Sequence, residues 1–124
     1  MSNSRRDLGR EGEKRTAAFL EHRGFRILAR NVRAGGVELD LVVRRGTLVV
    51  IVEVKARRSG DHGMPEEAVD TRKQARLIRG GAAWLREARL RGVRRVRFDV
   101  VACLRTRDGT WQLRHWEGAF DASR

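Results

Sequence analysis

Cysteine occurs once in this chain of 124 residues, at Cys103, which excludes an internal disulfide framework and any cysteine-based zinc site. Cys103 lies in an apolar run and reads as a small core residue. Proline also occurs once, and neither repeats nor low-complexity blocks are present. A single continuous domain over residues 1–124 follows, with 1–7 and 119–124 expected as flexible ends. No run of 18 apolar residues occurs, so a membrane span is not expected. The opening MSNSRRDLGR lacks the apolar core of a secretion signal, and a cytoplasmic location is the expectation. Lysine is scarce as well: of the 28 basic residues only Lys14, Lys55 and Lys73 are not arginine.

What the chain does have is positive charge. Lys and Arg number 28 against 16 Asp and Glu, a formal net charge of +12, and 40% of residues are hydrophobic. That apolar fraction suffices for a packed core. The excess charge suits a polyanionic partner, of which nucleic acid is the commonest.

The pattern from Leu8 to His22 is helical and stops at Arg23-Gly24. FRILARNV is a short strand. VELDLVV and LVVIVEVKA, separated by RRGT, form a β-hairpin with Gly46 in its turn. RRSGDHG is a polar loop. Pro65 opens a second helix with Glu66 and Glu67 in its first turn, running to about Arg89, where Gly80-Gly81 bends it or admits close packing. VRRVRFDVVACL and TWQLRHW, joined at Asp108-Gly109, are the last strands. The order is α-β-β-β-α-β-β, and the fold class is α/β, a mixed central sheet flanked by helices.

The run VVIVEVK raises a question, because a strand rich in β-branched aliphatics ends with Glu53 and Lys55 on one face. In VELDLVV, Glu38, Asp40 and Val42 share a face, opposite Val37, Leu39, Leu41 and Val43. If Arg45-Gly46 is the turn, Asp40 lies opposite Ile51, and Asp40 and Glu53 become diagonal neighbours roughly 7–8 Å apart at the backbone. Two carboxylates on one patch repel unless a cation or a shared proton separates them. Hard oxygens with room for water suit Mg²⁺ or Mn²⁺. Lys55 beside them can polarise a phosphate, orient water, or titrate when desolvated, and an arginine cannot titrate. The ordinary reading of the same charges is an exposed ion pair at a sheet edge.

Glu13 shares its helical stripe with Ala17 and Leu20 and is a candidate third acid. Lys73 lies on or near the buried stripe of the second helix, between Val69 and Leu77, within reach of the site or of a phosphate. Arg57, Arg58, Arg72 and Arg76 are candidate phosphate contacts. His22, His62 and His115 have no ligand-spaced companions. Trp84 packs the second helix on the sheet, and Trp111 and Trp116 face opposite sides of the last strand.

Asp40 followed, after twelve residues, by Glu53-Val54-Lys55 resembles the PD-(D/E)xK nuclease superfamily. The segments GREGEKRTAAFL, NVRAGGVELDLVV, VVIVEVKARRSGDHG and RFDVV resemble a bacterial family of small predicted endonucleases similar to archaeal Holliday-junction resolvases. The likeness spans Gly9 to Ala102, with Leu39 where the superfamily name has proline. It implies a restriction-endonuclease-like core, Asp40 and Glu53 as metal-binding acids, Lys55 as the active-site lysine and Glu13 as the helix-one acid. It further implies Mg²⁺- or Mn²⁺-dependent hydrolysis of branched or structured DNA, and a homodimer. The competing expectation is a nucleic-acid-binding module of the same fold without turnover.

Overall fold

The computed structural model describes residues 5–59 and 69–121. The chain forms α1 (Arg5–His22), β1 (Arg26–Ala34), β2 (Val37–Arg45), β3 (Leu48–Arg58), α2 (Thr71–Ala88), β4 (Arg95–Arg105) and β5 (Trp111–Phe120). The five strands make one mixed sheet in the order β1-β2-β3-β4-β5. Only β3 and β4 pair in parallel; the other ladders are antiparallel. A parallel pair needs a crossover, and the segment containing α2 supplies it.

β3 is the third strand of five, and Leu48 through Glu53 are all buried. That explains its run of β-branched residues, because a strand covered on both faces needs apolar side chains at odd and even positions. On one face, Leu41, Val43, Val50, Val52 and Val101 pack with Ala17 and Leu20 of α1. On the other, Val42, Val49, Ile51, Phe98 and Val100 pack with Leu77 of α2. Trp84 joins the α2 side, as expected. Trp111 packs at the α1 side and Trp116 at the α2 side, so both indoles border the core.

The helices sit close to the sheet because glycines face it. A Cβ on Gly80 would lie 2.8 Å from the Val37 Cβ, and one on Gly81 3.2 Å from Phe98 and 3.3 Å from Ile51. Of the two expectations for Gly80-Gly81, close packing is the one realised, and α2 runs through the pair unbroken. Gly80→Val is expected to cost about 1–3 kcal/mol, the usual range for overpacking a filled core. Urea denaturation measures it; a loss under 0.5 kcal/mol, about the scatter of a neutral surface change, would contradict the close approach.

Several boundaries differ from the sequence reading. α1 starts at Arg5 and β5 continues through Ala119 to Phe120, which is buried and stacked on Phe98 at 5.2 Å. Of the ends expected as flexible over 1–7 and 119–124, residues 5–7 are helix and 119–120 strand, and 1–4 and 122–124 lie outside the described residues. β3 extends through Arg58, so the first two residues of RRSGDHG are strand, held in register with Leu104 and Arg105. The rest of that loop beyond Ser59, His62 included, lies outside the described residues, as do Pro65, Glu66 and Glu67. α2 begins at Thr71 behind its own cap, Asp70, whose carboxylate accepts the Lys73 N–H at 2.9 Å.

The hairpin register also differs. Arg45 pairs with Leu48 and Arg44 with Val49, so Gly46-Thr47 is the two-residue turn, with Gly46 at φ 61°. The slip is two residues, an even number, so the side chains of the paired segment, Leu41 to Arg45, keep their faces. Alternation along β2 is not strict, however. Val37 and Leu39 pack on the α2 side with Val42, whereas Leu41 and Val43 face α1. The phase changes around Asp40.

Candidate functional site

The β2–β3 ladder ends at Leu41–Val52. At the next step the Val54 N–H donates to Asp40 Oδ2 at 2.8 Å, so a side chain takes the place of a backbone acceptor. This fastens the Asp40 carboxylate onto β3 beside Glu53. Glu53 is only 6% exposed, and two ammoniums converge on one of its oxygens. Lys55 Nζ lies 3.3 Å and Lys73 Nζ 2.5 Å from Glu53 Oε2. Lys73 arrives from the first turn of α2, fixed there by the Asp70 cap on its own N–H.

The electrostatics follow from this crowding. Burial raises the Asp40 pKa to about 8, reinforced by the Glu53 charge and by hydrogen bonding between the two carboxyls, and opposed by the Val54 N–H. Burial pushes the Lys55 pKa down, as does the neighbouring Lys73, despite the attraction of Glu53. Lys73 is also penalised by burial, but its bonds to Glu53 and Lys55 leave its pKa raised. Two acids and two amines thus share a small volume, and burial with the Glu53 charge favours the protonated form of Asp40. A hollow of about 250 Å³, bordered by Val37, Glu38, Arg76 and Leu77, opens onto Asp40, Glu53 and Lys73.

The structure therefore brings Asp40, Glu53, Lys55 and Lys73 together, with Arg76 at the rim. Glu13 stands apart. It lines a neighbouring hollow with Arg10, Lys14, Arg30 and Asn31, and hydrogen-bonds Asn31, a left-handed residue at φ 47° in β1. Its pKa is raised by burial and by the charges of Glu38 and Glu53, so its field reaches the site. Among the described residues, no three His, Cys, Asp or Glu side chains converge on one point. Arg57 follows Lys55 on the same face of β3 by alternation, Arg58 lines a hollow on the other face, and Arg72 lies on the exposed side of α2.

A second buried ionic cluster escaped the sequence reading. Asp99 is 1% exposed and accepts from Arg97 Nε at 2.8 Å, from Arg97 Nη2 at 2.9 Å and from the Gly118 N–H at 2.9 Å. His115 Nε2 lies 2.7 Å from Asp99 Oδ2, the oxygen that Arg97 Nη2 also bonds, so His115 does have a partner, one that sequence spacing did not reveal. Burial opposes the Asp99 charge, but the bonds from His115 and Arg97 prevail and hold its pKa low. The only trace in the sequence is an acid in the middle of the apolar run FDVVAC. This cluster ties β5 to β4 and lies outside the hollow beside Glu53.

Fold and site together define a small mixed α/β domain with a carboxylate pair and two lysines at the opened end of a β-hairpin. Residues 12–103 match the uncharacterised protein family UPF0102, and the chain belongs to that family. A UPF0102 protein of Syntrophotalea carbinolica is 42% identical over 98% of this chain and 97% of its own length. One from Anaeromyxobacter dehalogenans is 45% identical over 96% of this chain and 87% of its own. One from Paenarthrobacter aurescens is 45% identical over 90% and 91%.

Proposed function

We propose that the protein is a metal-dependent endonuclease with a restriction-endonuclease-like core, hydrolysing phosphodiester bonds of structured or branched DNA with Mg²⁺ or Mn²⁺. The observation that carries this reading is the confinement of Asp40, Glu53 and Lys55 to one partly buried face, with Asp40 titrating near 8. A protonated carboxyl pressed against a second carboxyl is a site whose proton a divalent cation can displace.

The donor set fits such an ion. Val54 engages one oxygen of Asp40 and the lysines one of Glu53, and the hydrogen bond between the two carboxyls is the contact an ion would replace. Mg²⁺ is commonly held by one or two carboxylates, with water and substrate phosphate filling the remainder. Asp40 and Glu53 would hold the ion, and when bound it would supply a Lewis acid and an activated water. Lys55, beside Glu53, would orient a water near the scissile phosphate and neutralise charge developing on it. Its lowered pKa also equips it to pass a proton. Lys73 fixes Glu53, and Arg76, Arg57 and Arg72 hold flanking phosphates. Glu13 acts through its field.

A linked measurement tests the site directly. A carboxyl whose folded pKa is raised stabilises the fold below its unfolded pKa, and that contribution is lost as pH rises through the folded value near 8. Added Mg²⁺ is therefore expected to raise the melting temperature more at pH 8.5 than at pH 6.5. Asp40→Asn should flatten that difference. An Mg²⁺ response independent of pH in the wild type would count against Asp40 as a ligand.

DNA affinity is expected to fall with salt at a log–log slope between about −3 and −4, from roughly four phosphates at about −0.9 each. A flat dependence, measured by anisotropy, would exclude phosphate as the principal contact. One observation favours a second reading, a binding module without turnover: two ammoniums already neutralise Glu53. Incubation with Mg²⁺ or Mn²⁺ and a panel of junction, flap and duplex substrates decides between them. Binding without cleavage on every substrate would leave the module.

A further inference from the structure

Two hollows adjoin where β3 and β4 end, of about 320 Å³ and about 380 Å³, sharing Arg58, Arg105 and Gly109. Each has the size of a small-ligand site and is too small for a duplex. They lie on the α1 side of the sheet. Ala56 packs beneath Gly12 of α1, and Arg58 follows Ala56 on that face, opposite Lys55 and Arg57. The register sets Arg58 level with Arg105, and Arg105 level with Trp111, so three side chains line up across three strands.

Trp111 is half-buried and carries the Arg15 guanidinium over its ring at 5.3 Å. Arg107 borders the second hollow. The acids of the groove, Asp7 and Glu11, lie towards its α1 end, and Glu11 is held by Arg15 at 2.9 Å. Four arginines against these two carboxylates and that of Asp108, which accepts from Thr106 beside the second hollow, leave a small excess of positive charge. Guanidinium forks match phosphates, and an indole face accepts any base. An aromatic platform within a cationic groove of nucleotide scale is how proteins bind single strands without reading sequence.

We propose that this groove binds an unpaired strand of DNA, with phosphates on Arg58, Arg105 and Arg107 and a base on Trp111. Arg58 is three residues past Lys55, about 10 Å along β3 at roughly 3.3 Å per residue. A nucleic-acid strand passing the carboxylate pair would have to cross the end of the sheet, from its α2 side to its α1 side, to enter the groove. Resting on the nuclease reading above, the inference names the substrate class: DNA in which a single-stranded arm adjoins the cleaved phosphate.

The test is binding in EDTA to a short labelled oligothymidine and to a blunt hairpin duplex with the same number of phosphates. Arg105→Gln/Arg107→Gln is expected to weaken oligothymidine binding about tenfold, from two lost phosphate contacts, and duplex binding less than about twofold. Trp111→Phe should remove most of the tryptophan quenching that oligothymidine produces in the wild type. Equal losses on both ligands, no loss on either, or undiminished quenching in Trp111→Phe would overturn the proposal. Arg107 is exposed, so Arg107→Gln with Trp111→Phe carries the test if the double variant fails to fold. Wild-type cleavage is assayed in parallel with Mg²⁺. No cleavage with a selective loss of single-strand affinity removes the nuclease reading and keeps the groove; cleavage with unchanged affinity does the reverse.

Discussion

If the protein is the proposed nuclease, Lys55→Ala is expected to slow Mg²⁺-dependent strand cleavage by about 10²–10³-fold, the usual loss when one preorganised charge leaves a reacting centre. The fold should survive, because Glu53 keeps its contact with Lys73. Lys55→Arg separates two roles of the amine. Arginine preserves the positive charge but cannot release a proton, so a variant as slow as the alanine would assign proton transfer to Lys55. Recovery of most activity would assign charge alone. Asp40→Asn should be at least as damaging to cleavage, yet it removes the repulsion of two buried carboxylates and should leave the metal-free protein no less stable at pH 8.5. Single-turnover rates and melting curves on the same samples check both halves. Rates within about twofold of wild type for both variants would remove these residues from the chemistry.

Asp99→Ala has the largest expected effect on stability, about 3–5 kcal/mol, because it strands buried cationic and polar donors without their acceptor. Arg97 would lose both its short bonds, His115 its Nε2 partner and Gly118 its N–H acceptor. The pH dependence has a definite sign. A carboxylate with a depressed folded pKa stabilises the fold above its unfolded pKa, near 3.9, and that contribution is lost as pH falls through the lower folded value. The gap between wild type and variant in urea denaturation should thus be full at pH 6 and shrink below pH 4. A gap under 1 kcal/mol at pH 6, no more than an ordinary single hydrogen bond, would show that the cluster contributes little.

Much of this was legible in the residues. Periodicity gave the seven elements in order, because two-faced burial of β3 and one-sided burial of α1 and α2 leave distinct patterns. Parity of the strands placed Asp40, Glu53 and Lys55 on one side even though the turn was placed one residue early. The scarcity of lysine was informative too: two of only three meet at Glu53. What was illegible depends on contacts between distant segments. Nothing local foretells that His115 meets Asp99, sixteen residues earlier, across the β4–β5 ladder. Nor does Pro65, a strong start signal, predict that Asp70 caps α2 five residues later. The phase change at Asp40 was hidden for the same reason, since it goes with a bond to Val54 on another strand.

Lys73 and Gly80 are seven residues apart on α2, about 10.5 Å at 1.5 Å per residue, and nearly in line after two turns. The glycine is the point where the helix rests on Val37, and the amine is the tip that touches Glu53. α2 therefore works as a lever whose fulcrum has no side chain. Bulk at the fulcrum is expected to shift Lys73 from its carboxylate, so on the nuclease reading activity should fall by more than the lost stability alone explains.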